Sequence, residues 1–237
     1  MVLILISTTI AGCLPYYYAP NSQNVPLFRQ KGESQLQITG STGSKMIGAE
    51  LKGAYAAGNH LGLMYNTFLN KGGTTSTDME SNGNLFEGGI GYYTATTLKD
   101  IYLETYAGAG KGKIDCTYHS DMLFNSQYGK TTINYSRYFI QPAMGYVSDH
   151  FALIFATRIV ILDILSITTT GSAPPDQNKL SENKTVSFIE PSGTMRLGGE
   201  NFKIQFQILS SSENDKFPVT KEGTNFNISL LFSFPVK

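Results

Sequence analysis

The chain has 237 residues, of which only 15% are charged, and its 18 basic and 18 acidic side chains cancel to a net charge of zero. Soluble domains carry about 25% charged residues, and a neutral chain offers no bulk attraction to nucleic acid or acidic substrates. No apolar run approaches the ~18 residues of a transmembrane helix, so any membrane span must be made of strands.

Residues 1–12 read MVLILISTTIAG and are followed by Cys13. The run Ile10-Ala11-Gly12-Cys13 resembles the lipobox of bacterial lipoproteins. That resemblance implies a signal peptide over 1–12 and a diacylated thiol at Cys13. The leader is short and lacks a positively charged start, which a translation start further upstream would explain. Residues 14–31, with three tyrosines and three prolines, read as an extended tether or a segment lying against a barrel wall. The expected organisation is therefore a lipidated tether over 13–32 and one large all-β domain over 33–237.

From there the chain alternates apolar and polar residues over long stretches. The last is the plainest, with Phe226, Ile228, Leu230, Phe232 and Phe234 on one face and Asn225, Asn227, Ser229 and Ser233 on the other. Ten strands are predicted: 34–42, 46–57, 59–69, 84–96, 100–111, 131–147, 150–164, 184–198, 201–211 and 224–236. Most reach the ~9–11 residues that a tilted strand needs to cross a bilayer. Tight connections at 58–59, 97–99, 148–149 and 199–200 alternate with long polar ones at 70–83, 112–130, 165–183 and 212–223. Only the connection at 43–44 is short where a long one is expected. Short periplasmic turns facing longer extracellular loops are the signature of a closed antiparallel up-and-down transmembrane β-barrel, about ten strands in all.

Residue chemistry decides which face looks outward. One face carries bulky apolar groups such as Phe151, Leu153, Phe155, Ile159, Ile161, Phe202, Ile204 and Phe206. The other is rich in amides and in small residues such as Gly48, Ala54, Gly89, Gly91, Gly108 and Gly145, which suit a cramped interior. The polar face is thus expected to be the lumen. Its charges, Glu50, Lys52, Glu87, Glu104, Arg137, Arg158, Glu190, Arg196 and Lys203, are roughly balanced and should pair to block a narrow bore. The competing reading makes the same residues the lining of a narrow ion pathway. Tyr92, Tyr93, Tyr138 and Tyr146 near strand ends could form interfacial girdles. Pro142 and Pro191 fall inside strands and should mark bulges or breaks.

Several stretches resemble outer-membrane β-barrel lipoproteins of Bacteroidota: Tyr18-Ala19-Pro20-Asn21 with Asn24-Val25-Pro26-Leu27 and Lys31-Gly32-Glu33, then 56–66 (AAGNHLGLMYN), 137–145 (RYFIQPAMG) and 189–198 (IEPSGTMRLG). The resemblance implies an outer-membrane location and a barrel, with no assigned chemistry. In such lipoproteins an acidic run after the cysteine accompanies export to the cell surface. Its absence here favours a lipid anchor on the periplasmic side.

The search for catalytic groups finds little. Asp115, His119 and Asp121 in the 112–130 connection could assemble as a general-base pair of a rim hydrolase, and Cys116 beside His119 could serve as a nucleophile or soft metal ligand, though solvated loop residues are the plainer reading. The run Gly108-Ala109-Gly110-Lys111-Gly112-Lys113 misses the P-loop, with Ala107 where glycine is needed and Ile114 where Ser or Thr should follow. No cofactor or metal site is expected. The reading is a lipid-anchored, non-enzymatic outer-membrane barrel with a structural or accessory envelope role, porin-like in build. Its partners would be outer-membrane lipids and an envelope protein met through the 112–130 and 165–183 loops. A pore or transport partner, a rim hydrolase and a soluble periplasmic lipophile-binding barrel are the rivals.

Overall fold

The computed structural model describes residues 17–74, 79–122, 125–172, 184–213 and 221–234. Their strands are β1 (Ser34–Gly43), β2 (Met46–Ala56), β3 (Leu61–Thr74), β4 (Met79–Ala95), β5 (Ile101–Met122), β6 (Asn125–Val147), β7 (Phe151–Gly171), β8 (Thr185–Gly198), β9 (Phe202–Ser210), β10 (Ser212–Glu213) and β11 (Thr224–Phe234). All strand pairings are antiparallel, β1 closes on β11, and β9 joins β8 to β11. Because β10 continues β9 in the same register against β8, the wall is a closed barrel of ten strands.

The alternation read in the sequence sets the faces. Along β7 the odd residues Leu153, Phe155, Ile159 and Ile161 are exposed, while Ile154, Ala156, Arg158 and Val160 are buried. Ile38, Leu51, Leu63, Phe86, Leu103, Ile140, Leu197, Ile208 and Ile228 continue this exposed apolar belt around the wall. Inside lie Gln37, Glu50, Lys52, Asn66, Glu87, Arg137, Gln141, Gln205 and Asn227, all buried. A monomer with so continuous an apolar exterior meets hydrocarbon rather than water. A soluble lipophile-binding barrel requires the opposite orientation, and that rival falls here.

Two predicted loops, 70–83 and 112–130, prove to be largely strand, and the third, 165–183, begins as one. β3 and β4 run through 70–74 and 79–83, β5 and β6 pair as far as Met122 and Asn125, and β7 continues to Gly171. The reason lies in the facing. Above the belt the outward positions become Lys71, Asn84, Lys111, Lys113 and Asp115, while Ile114, Cys116, Ile133 and Tyr135 turn inward and are buried. The period of two persists, but its apolar side has changed faces. At ~3.3 Å per residue the 22-residue β5 spans roughly 70 Å of strand, about twice what a bilayer crossing uses. Its upper half therefore stands clear of the belt. Leu165 is the extra residue where the β6–β7 register shifts, and it is exposed.

The two mouths differ accordingly. One is closed by the connections 57–60, 96–100, 148–150 and 199–201. At the other, β3 to β7 form a high wall, while β1, β2 and β11 stop early at Gly43, Met46 and Thr224. Of the proposed girdle, Tyr92, Tyr138 and Tyr146 are exposed on the outer face, but Tyr93 points inward and is buried. Pro142 and Pro191 face β7 from opposite sides at the level of Thr157, and the ladder is interrupted beside each without a change of register.

Candidate functional site

The lumen is not empty. Residues 17–28 thread it from mouth to mouth, and Tyr18, Asn21, Ser22, Gln23 and Val25 are 0% exposed. The C-terminal end of the thread lies at the foot of the barrel, where Arg29 bonds the carbonyl of Val147 beside the 148–150 turn. Its N-terminal end lies at the high-wall mouth, where Tyr18 bridges to Lys221 and its carbonyl accepts from the Glu222 amide. Chain direction along the thread is therefore opposite to that of β1, which begins again at the foot.

An extended segment without strand partners must satisfy its backbone groups otherwise. Here the wall's side chains do so. Carbonyls of Pro20, Asn21, Gln23, Asn24 and Val25 accept from Asn225, Arg158 (2.8 Å), Gln207 (3.1 Å), Gln141 (2.6 Å) and Arg196 (2.6 Å). The amides of Ser22, Gln23 and Leu27 donate to Glu50 (2.9 Å), Gln207 (2.7 Å) and Glu104 (2.7 Å). Pro20 and Pro26 have no amide to satisfy. Leu27 sits at φ 49°, a conformation costly for a branched side chain, and the Glu104 contact holds it there. Gly145 makes room for this corner, since a Cβ there would run into the Leu27 side chain.

At mid-height the charges converge on one residue of the thread. Arg137 donates to Glu87 at 2.9 Å and Glu190 at 3.3 Å, and Arg158 to Glu190 at 2.8 Å. Asn21 sits among them, accepting from Arg137 through its side-chain oxygen and donating to Glu87 through its amide. Tyr18 donates to Glu190 at 2.7 Å and stacks on Phe188. The ladder break next to Pro191 leaves the Glu190 carbonyl accepting from the Gln23 side chain. Four acids (Glu50, Glu87, Glu104, Glu190) thus face four bases (Lys52, Arg137, Arg158, Arg196) across the lumen, every one buried.

Lys203, also expected in this network, lies apart. Its ammonium reaches the Glu200 carbonyl at the foot, where a vestibule of about 390 Å³ opens between Arg29, Glu33, Asp149, His150, Arg196 and Lys203. Sequence reasoning also missed the thread's own contribution, above all Asn21, Gln23 and Leu27. Their partners lie tens to nearly two hundred residues away, and no periodicity announces them.

The groups considered for catalysis are separated. Asp115 binds Lys113 at 2.8 Å and Thr132, on the outer face of the hairpin. Cys116 points inward, buried against Ser81. His119 follows Asp115 by four residues on one strand, roughly 13 Å of rise, far beyond the ~2.6–3.2 Å of a base and its partner. The side chain of Asp121 lies outside the described residues, as does Cys13. Among the described residues no cluster of His, Cys, Asp or Glu has the geometry to hold a metal.

No family model and no curated protein matches the chain. Solved structures do. The translocator domain of the autotransporter NalP from Neisseria meningitidis matches with TM-score 0.51 at 11% identity, over 85% of this chain and 86% of that one. The fold is that of a bacterial outer-membrane β-barrel. An outer membrane channel from Pseudomonas putida F1 (TM-score 0.45, 10% identity, 90% and 100% covered) and LpxR from Salmonella typhimurium (0.40, 10%, 84% and 99%) also match. The likeness to the NalP domain shows the fold, and the exposed apolar belt is what suits that fold to a membrane. In such a barrel the short-turn mouth is periplasmic and the high-wall mouth extracellular.

Proposed function

We propose that the protein is a non-conducting, non-enzymatic outer-membrane barrel with a structural or accessory role in the envelope, anchored by a lipid on Cys13. The observation that carries this reading is the thread over 17–28, which occupies the bore that a channel would need. The charges that could line an ion pathway are instead committed to one another and to the thread's backbone. Separation of Asp115, Cys116 and His119 speaks against the rim hydrolase. Outer-membrane lipids would surround the belt, and the β5–β6 hairpin standing above it is the surface best placed for an envelope partner.

Single-channel recording on the folded full chain tests this. The bilayer is expected to stay closed with the wild-type protein. A steady conductance whose ion selectivity shifts in Glu104→Gln or Arg158→Gln protein would replace this reading with the narrow pore.

A further inference from the structure

The polarity of the thread decides where the N-terminal region goes. Its contacts climb the lumen as residue number falls: Arg29 at the Val147 carbonyl, Leu27 at Glu104 near the start of β5, Asn24 at the Gly53 carbonyl and Asn66, Ser22 at Glu50, Pro20 at Asn225, and Tyr18 at Lys221 and Glu222. Foot and exit are therefore fixed by independent contacts with five of the strands or their ends. The exit also has a side. Lys221 and Glu222 precede β11, and Glu222 binds the amides of Ser44 and Lys45 in the short β1–β2 connection. Tyr18 thus reaches the mouth beside its lowest rim, where β1 ends at Gly43, β2 begins at Met46 and β11 begins at Thr224. Across the bore the wall continues upward along β5, β6 and β7.

We propose that the barrel presents whatever precedes Tyr17 on the extracellular side, so that a lipid on Cys13 inserts from outside, over the low β11–β1–β2 rim. This deepens the plugged-lumen reading and rests on it. Cys13 lies four positions before Tyr17, at most about 14 Å of extended chain. That length cannot return through a bore ~10–11 strand residues deep and already filled by the thread. It does suffice to cross a rim that ends level with the thread's exit. Most of the thread is gripped through main-chain groups, so the barrel holds an extended peptide in place through contacts that do not depend on its side chains. The same route turns the sealed lumen into a device for carrying a terminus across the membrane. It argues against the periplasmic anchor that the missing acidic run suggests.

Sidedness in intact cells tests the proposal. The same short epitope is inserted, in separate full-length proteins, between Leu14 and Pro15, within 75–78 and between Gly58 and Asn59. The first two are expected to bind antibody on intact cells, and the third only after permeabilisation. An N-terminal epitope that needs permeabilisation while the 75–78 epitope does not would overturn the proposal. So would a 75–78 epitope hidden in intact cells, because the mouths would then be reversed. Should the insertion at 14/15 block assembly, Pro15→Cys protein probed with a membrane-impermeant maleimide gives the same reading: labelling on intact cells supports the outward exit, and labelling only after permeabilisation overturns it. The conductance experiment is separate, since a conducting barrel could still label at residue 15, and a closed one could fail to.

Discussion

Arg137 shows how closely charge and fold are bound in this lumen. Its guanidinium joins Glu87, Glu190 and the side chain of Asn21, and lies 5.8 Å from the centre of the Tyr18 ring. Isolated charges cannot be tolerated at such depth, and a paired one becomes a liability once its partner is removed. Arg137→Ala leaves two carboxylates short of a cation and is expected to destabilise the folded barrel by roughly 3–5 kcal/mol. The loss should appear as a lower denaturant midpoint for the compact band on unheated gels. Asn21→Ala removes hydrogen bonds but no charge and should cost only about 1–2 kcal/mol. Equal effects of the two substitutions would mean that the charges do not act as a unit. The polar identity of the lumen was legible residue by residue, because eight of the nine charges expected inside are buried there. Lys203 shares their facing but sits too near the foot, and alternation alone carries no information about height.

At the scale of the strand, facing and height together set tolerance. Ile159 is exposed on β7 in the middle of the belt, paired with Ile140 and Ile189, whereas Asp163, four residues on, marks the polar zone. A cation at the bilayer midplane costs ~2–4 kcal/mol and far less at an interface. Ile159→Lys is therefore expected to lower stability by about that amount in lipid vesicles, and Asp163→Lys to change it by well under 1 kcal/mol. If both were harmless, the belt would not be a hydrocarbon surface. This change of zone also explains why the sequence hides the upper strands. Around Lys113, Ile114, Asp115 and Cys116 the polar residues face out and the apolar ones in, which breaks the greasy outward stripe that identifies the lower halves. The prolines were legible as interruptions, yet their alignment on Thr157 follows from register and appears only once strands are paired.

For the whole molecule, closure of the barrel and occupation of its bore belong to one arrangement. The thread draws bonds from β1, β2, β3, β5, β6, β7, β8, β9 and β11. The wall therefore closes around a segment that the sequence shows only as a proline- and amide-rich tether. That segment has no period to read, and its hydrogen-bonding groups match partners scattered over the entire chain. Hydrogen–deuterium exchange across residues 17–28 of the folded protein tests the account most directly, because Ser22, Gln23 and Leu27 donate their amides to buried side chains. Their exchange is expected to be as slow as that of the β1 and β11 amides, and to quicken in Arg137→Ala protein. Exchange within seconds, at the rate of a free tether, would contradict it.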